Sequence, residues 1–137
     1  MGALLSEVAR VWRAKLDARL RPLGLSQAKW LPLLELERRG DGMSQRELAG
    51  YLGIEGPTLV SLLDRLTQDG WVERRESAAD RRIKTVHLTG KAREVVPEIE
   101  HLASELRQSL LSGISPHEIE ATVRTVRAIL ARAEKLP

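Results

Sequence analysis

The sequence predicts a mainly α-helical fold with one small β-hairpin, and three observations lead there. Leu, Ala, Arg and Glu dominate while aromatic residues make up 3% with no Phe, a balance that favours helices over a large sheet. Apolar residues recur at steps of three and four near both ends of the chain, the period of one helix face. Between them, two short apolar-containing segments flank a polar, basic tip, as two strands and their turn would.

A chain of 137 residues, 42% apolar and 30% charged, suits one globular domain with its own core, and disorder is excluded. The net charge of +3 suits a polyanionic partner without identifying one. Cysteine is absent, which excludes disulfides, thiolate metal sites and a cysteine redox switch and fits a reducing cytoplasm. Met1 to Leu20 carries Glu7, Arg10, Arg13, Lys15 and Asp17 among its apolar residues. No run reaches the roughly 18 apolar residues of a membrane span, so neither export nor membrane anchoring is expected.

The first helix is expected over Leu4 to Leu20, with a stripe of Leu5, Val8, Ala9, Trp12, Leu16 and Leu20, before Pro22 and Gly24 stop it. Ser26 suits the N-cap of a second helix, apolar on most sides through Trp30, Leu31, Leu33, Leu34 and Leu36, which Gly40 and Gly42 end. Ser44 and Glu47 have the spacing of a capping box, opening a short third helix that turns Leu48, Ala49 and Leu52 inward. Gly53 closes it, and Pro57 suits the first turn of a fourth. That fourth helix collects Leu59, Leu62, Leu63 and Leu66 on one face, with Thr58, Ser61, Arg65 and Gln68 on or near another.

Gly70 ends the fourth helix, and strands are expected over Trp71 to Arg75 and Ile83 to Leu88. Thr89 caps a long fifth helix whose Ala92, Val96, Ile99, Ala103, Leu106 and Leu110 form a seam for another helix. Pro97 lies inside it and should kink it or mark a tighter first turn. Ser115 and Glu118 form a second capping box, with Pro116 at the first helical position. The sixth helix that follows carries Ile119, Val123, Val126, Leu130 and Ala133 as an inward stripe.

A short helix, a tight turn, a second helix and then a basic hairpin is the order of a winged helix-turn-helix, here with long N- and C-terminal dimerisation helices. The expected DNA-binding lobe covers residues 26–89, and residues 1–22 and 90–137 form the helical dimerisation region. The major groove admits one α-helix, whose N-terminal side chains reach base edges. Thr58, Ser61 and Arg65 are assigned to that position, with Arg65 suited to guanine O6 and N7. The segment from Glu73 to Lys84 holds Arg74, Arg75, Arg81, Arg82 and Lys84 against Glu73, Glu76 and Asp80, a cationic excess. Arg81 and Arg82 beside the small Ser77-Ala78-Ala79 tip suit the minor groove, and Asp80 is expected to preorganise a neighbouring arginine. Ser44, Gln45, Pro57 and Arg74 complete the candidate DNA-binding set.

The run from Gly56-Pro57-Thr58-Leu59-Val60 through Leu66, then Gly70 to Arg74, Asp80-Arg81-Arg82 and Leu88-Thr89, resembles the MarR family of bacterial transcriptional regulators, and its SlyA-like branch most closely. The resemblance extends to Val11-Trp12-Arg13-Ala14 and Gly113-Ile114-Ser115. It implies a homodimer joined through the first and last two helices, one wing per subunit in the minor groove, and pseudo-palindromic promoter DNA as partner. It further implies repression, relieved by a small aromatic carboxylate such as salicylate, with Arg13 and Trp30 as candidate effector residues. No cofactor is required. SlyA-like proteins often carry arginine where this chain has Ser61, which weakens one DNA contact carried over from them, and the absence of cysteine excludes a peroxide-sensing mode.

The bland readings make Trp12 and Trp30 core residues, Arg13 a surface ion-pair partner and arginine pairs solvated. His87, His101 and His117 lack metal-ligand spacing, and no nucleophile elbow, phosphate loop or facing carboxylate pair appears, so no enzyme activity is expected. The competing class is a winged-helix protein-interaction module without DNA binding.

Overall fold

The computed structural model describes residues 1–137. Six α-helices and a two-stranded sheet follow in the order α1 (Gly2–Leu20), α2 (Gln27–Arg39), α3 (Gln45–Leu52), α4 (Gly56–Gln68), β1 (Val72–Glu76), β2 (Lys84–Leu88), α5 (Gly90–Leu111) and α6 (Pro116–Ala133), with a 3-10 turn at Arg21–Leu23 after α1. This is the expected winged helix-turn-helix with long terminal helices. The chain divides into two compact units, Met1–Ser104 and Glu105–Pro137.

In the first unit, Leu20, Leu33, Leu36, Leu48, Leu59, Leu63, Val86 and Ile99 are essentially free of solvent. These residues come from α1, α2, α3, α4, β2 and α5, and their removal from water is the main stabilising term. Ser26 stands at the N-cap of α2 in extended conformation, but its hydroxyl makes no capping bond. The α3 box is half made: Ser44 Oγ accepts from the Glu47 N–H at 3.1 Å. Pro32 and Pro97 both lie inside helices. The expected tight first turn at Pro97 is not found, because α5 has already run from Gly90 by that point and continues to Leu111.

The two strands pair antiparallel, with Val72 opposite Leu88, Arg74 opposite Val86 and Glu76 opposite Lys84. Val72, Val86 and Leu88 face the core, so the period-two pattern fixes the face as well as the register. A short backbone segment before α3 extends this sheet: Gly42 N–H donates to Val86 O at 2.8 Å and Val86 N–H to Met43 O at 2.9 Å. Gly42 has φ of 87°, and a Cβ there would stand 2.9 Å from His87 Cε1. Glycine is therefore required twice over, by backbone conformation and by space.

Thr89 joins α4, the wing and α5. Its Oγ1 donates to Gly70 O at 2.6 Å and accepts from the Ala92 N–H at 3.3 Å, the capping geometry expected of it. Arg38 of α2 reaches Glu100 of α5 through two bonds of 2.8 and 3.1 Å. The Glu100 carboxylate raises the pKa of Arg38 above its ordinary value, against an opposing effect of burial.

In the second unit, α6 opens with a complete capping box. Ser115 Oγ accepts from the Glu118 N–H at 3.2 Å, and the Glu118 carboxylate accepts from the Ser115 N–H at 3.1 Å. The stripe expected to face inward does not: α6 buries no residue, Val123 is 44% exposed and Leu130 58% exposed.

Candidate nucleic-acid interface

Helix α4 is amphipathic. Leu59, Leu63 and Leu66 are buried, so the residues between them turn outward, and Pro57, Thr58, Val60, Ser61, Asp64, Arg65 and Gln68 are all exposed. Pro57 and Thr58 lie in the first turn as expected. Arg65 does not lie near the N-terminus: it stands in the last turn, roughly 12 Å along the axis from Pro57 at 1.5 Å per residue. Arg65 and Ser61 still share a helix face, one turn apart.

The outward stripe of α4 also holds two residues that sequence reading passed over, Val60 and Asp64. Asp64 Oδ1 lies 2.7 Å from Arg74 Nη2, which ties the helix to β1. Periodicity from Pro57 was enough to place Asp64 on this face; its partner across the Gly70 turn was not legible from spacing alone.

The hairpin projects beyond the core. Arg82 has a side chain 91% exposed, yet it is not free: Asp80 accepts from Arg82 Nε at 3.2 Å, Nη2 at 3.1 Å and backbone N–H at 3.0 Å. These bonds, the side-chain ones first, hold the Asp80 carboxyl below its ordinary pKa. The clamp uses two of the five guanidinium donors and leaves three pointing away for an acceptor. The other wing cations are also partnered, Arg75 by Glu73 at 3.1 Å and Lys84 by Glu76 at 3.3 Å, so Arg81 is the wing cation without a carboxylate partner.

Ser44 and Gln45 at the start of α3 meet the wing. With Ser77, Arg82, Ile83, Lys84 and Thr85 they line a groove of about 630 Å³, so residues 37 positions apart in the chain share one surface. The two candidate effector residues have different surroundings. Trp30 is 1% exposed and its Nε1 donates to Asp17 Oδ1 at 3.2 Å, so no ring face is open to a stacking ligand. Arg13 lies exposed on α1. A separate groove of about 510 Å³ is lined by Asp17, Arg21 and Gly24 to Ala28, by neither candidate. Asp17 has its pKa lowered by the Arg21 guanidinium first and the Trp30 indole second.

No group of three or more His, Asp or Glu side chains is placed to hold a metal ion, and no helix is long and apolar enough to cross a membrane.

A helix with a polar outward face, a preceding helix packed against it and an arginine-bearing hairpin define a winged helix-turn-helix of the DNA-binding kind. The comparisons agree: a sequence model described as "MarR family" matches residues 23–83. The structure of transcriptional regulator PA3341 is 47% identical, with 98% of each chain covered and a TM-score of 0.91. The chain belongs to the MarR family of transcriptional regulators, a family of DNA-binding regulators rather than enzymes. Transcriptional regulator SlyA is 23% identical over 96% of this chain and 92% of its own, TM-score 0.82. A putative MarR family regulator from Listeria monocytogenes, complexed with 26mer DNA, is 17% identical over 96% of this chain and 87% of its own, TM-score 0.84. At those identities the last two likenesses concern the fold.

Proposed function

We propose that the chain acts as a homodimeric repressor, placing α4 in the major groove and Arg81 and Arg82 in the minor groove of a pseudo-palindromic promoter site. The observation that carries this reading is the clamp of Asp80 on Arg82: an exposed arginine fixed in one rotamer on a projecting hairpin is prepared for a narrow anionic groove. Ser44, Gln45, Pro57, Thr58, Ser61 and Arg65 supply the remaining contacts, to phosphates from α3 and the start of α4 and to bases further along. The apolar stripes left open on α1 and α6 support a second copy of the chain as the partner. Two-fold symmetry then asks for two half-sites.

The wing signature Asp80-Arg81-Arg82 with Leu88-Thr89 supports a place in the SlyA-like branch, and the same resemblance supports relief of repression by a small aromatic carboxylate, with Arg13 as a candidate anion partner. Residues 26–89 serve as the DNA-binding lobe and the terminal helices as the dimerisation region, working on the cytoplasmic nucleoid.

Fluorescence anisotropy on duplex DNA from upstream of the chain's own gene, against a scrambled duplex at two salt concentrations, tests the reading. Tight, salt-weakened preference for the natural duplex, reduced by Arg82→Ala and by sodium salicylate, is expected. Absence of binding at low salt overturns DNA recognition and leaves a protein-interaction module. Salicylate without effect removes the effector alone.

A further inference from the structure

Val60 is the only large aliphatic side chain exposed on α4, at 41%, while Leu59, Leu63 and Leu66 are buried and Leu62 is half-buried. It lies one helical turn before Asp64 and next to Ser61, on a face that, apart from Pro57 in the first turn, is made of hydroxyl, carboxylate, amide and guanidinium groups. A β-branched residue adds nothing to helix propensity there, and the chain's own core leaves it open to water.

The floor of the major groove offers one apolar feature, the C5-methyl of thymine, beside donors and acceptors that every base pair displays. Valine is short, so it reaches that methyl only if the helix backbone comes close to the bases. The outward residues around it permit this: Gly56, Thr58 and Ser61 are all small, and nothing long at position 61 holds the helix away.

We propose that Val60 is a specificity-determining residue that reads a thymine C5-methyl in the major groove, distinguishing thymine from cytosine at one position of each half-site. This rests on α4 being the reading helix. Ser61, which can bond any base or phosphate, adds affinity at the same level without choosing the base. The serine that weakens one carried-over contact is thus the residue that gives Val60 room.

The test starts from duplexes enriched from a random library by the full-length wild-type protein. Each thymine of the enriched duplex is then replaced in turn by deoxyuracil, which removes the C5-methyl and nothing else. At one thymine of each half-site the replacement is expected to weaken wild-type binding about fourfold, the worth of one methyl group withdrawn from water. Val60→Ala should bind the thymine duplex as weakly as the wild type binds the uracil one and be indifferent to the replacement. Val60→Thr, which keeps the branch and one methyl, should retain part of the sensitivity. Unchanged affinity of both variants for a scrambled duplex shows that they are folded. Uracil without effect at every position, or equal uracil sensitivity in Val60→Ala, overturns the role of Val60 while leaving DNA recognition intact. Failure to enrich any duplex overturns sequence-specific recognition itself, and Val60 with it.

Discussion

Arg74 of β1 holds Asp64 of α4 at 2.7 Å, with the Arg74 side chain 27% exposed and that of Asp64 59% exposed. An ion pair this open contributes at most about 1 kcal/mol to stability, so its consequence lies elsewhere. Asp64 occupies the outward face of α4, the helix proposed to enter the major groove, where a lone carboxylate would repel phosphates. Pairing offsets that charge and links α4 to β1.

Substituting Asp64 by Ala should therefore loosen discrimination rather than abolish binding. The freed Arg74 becomes available to a phosphate, and the salt dependence of binding to scrambled DNA should steepen by about 0.9 in the log–log slope, one additional neutralised charge. Affinity for the natural duplex should gain less, so the ratio of the two falls. Anisotropy titrations at several salt concentrations measure both; an unchanged ratio would mean that the pair does not orient the wing.

The Asp80 clamp makes a different prediction. Its carboxyl has a depressed pKa because of Arg82. A group of this kind contributes above its unfolded value of about 3.9 and loses its contribution as pH falls through the lower folded value. The clamp is thus complete between about pH 6 and 8, and DNA affinity should carry no Asp80-linked pH dependence there. Asp80→Asn removes a negative charge near DNA, which on charge alone should tighten binding. The expected outcome is weaker specific binding, since the guanidinium loses its fixed rotamer. Arg82→Ala should cost more, about 1.5–3 kcal/mol for a charge-assisted contact. Tighter specific binding by Asp80→Asn would show that the clamp has no role.

The turn before α3 gives a stability prediction. Gly42→Ala combines a φ of 87° with a Cβ 2.9 Å from His87 Cε1, and should destabilise the fold by about 1–3 kcal/mol. The imidazole has another tie, its Nε2 standing 2.8 Å from Thr85 Oγ1, so it does not swing away without loss. Adding His87→Ala should restore the steric part and leave the backbone strain. Urea unfolding of the single and double variants separates the two, and full recovery would assign the whole cost to the contact.

Local rules carried most of the fold. Capping at Ser115, the stop at Gly53, and two short strands with the polar tip between them were legible because each depends on neighbours in the chain or on local pattern alone. The site was legible as a set of exposed polar residues, and less so as geometry. Arg65 was grouped with the N-terminal residues of α4 because it shares their face, although its place eight residues after Pro57 already puts it in the last turn. Trp30 carries an effector reading in the sequence only through the family resemblance; its bond to Asp17 and its burial are tertiary facts. Val60 escaped because only the polar residues of the outward face were weighed as contacts.

The same ambiguity produced the misplaced stripe of α6, and it supplies the last prediction. Periodicity identifies an apolar face without saying whether the chain's own core or another chain covers it. In this chain Val123 is 44%, Ile129 38% and Leu130 58% exposed, while on α1 Leu4 is 63% and Val8 48% exposed. Faces of this kind in water favour association. If a second copy covers them, Leu130→Glu places a charge in an apolar interface but leaves the monomer core untouched. Light scattering on the eluting protein should then shift from twice the 15.3 kDa chain mass to the chain mass itself, with α-helical content largely retained. Operator affinity should fall steeply, since a monomer engages one half-site instead of two. A wild-type protein already monomeric at micromolar concentration would refute the dimer and remove the requirement for a palindromic site.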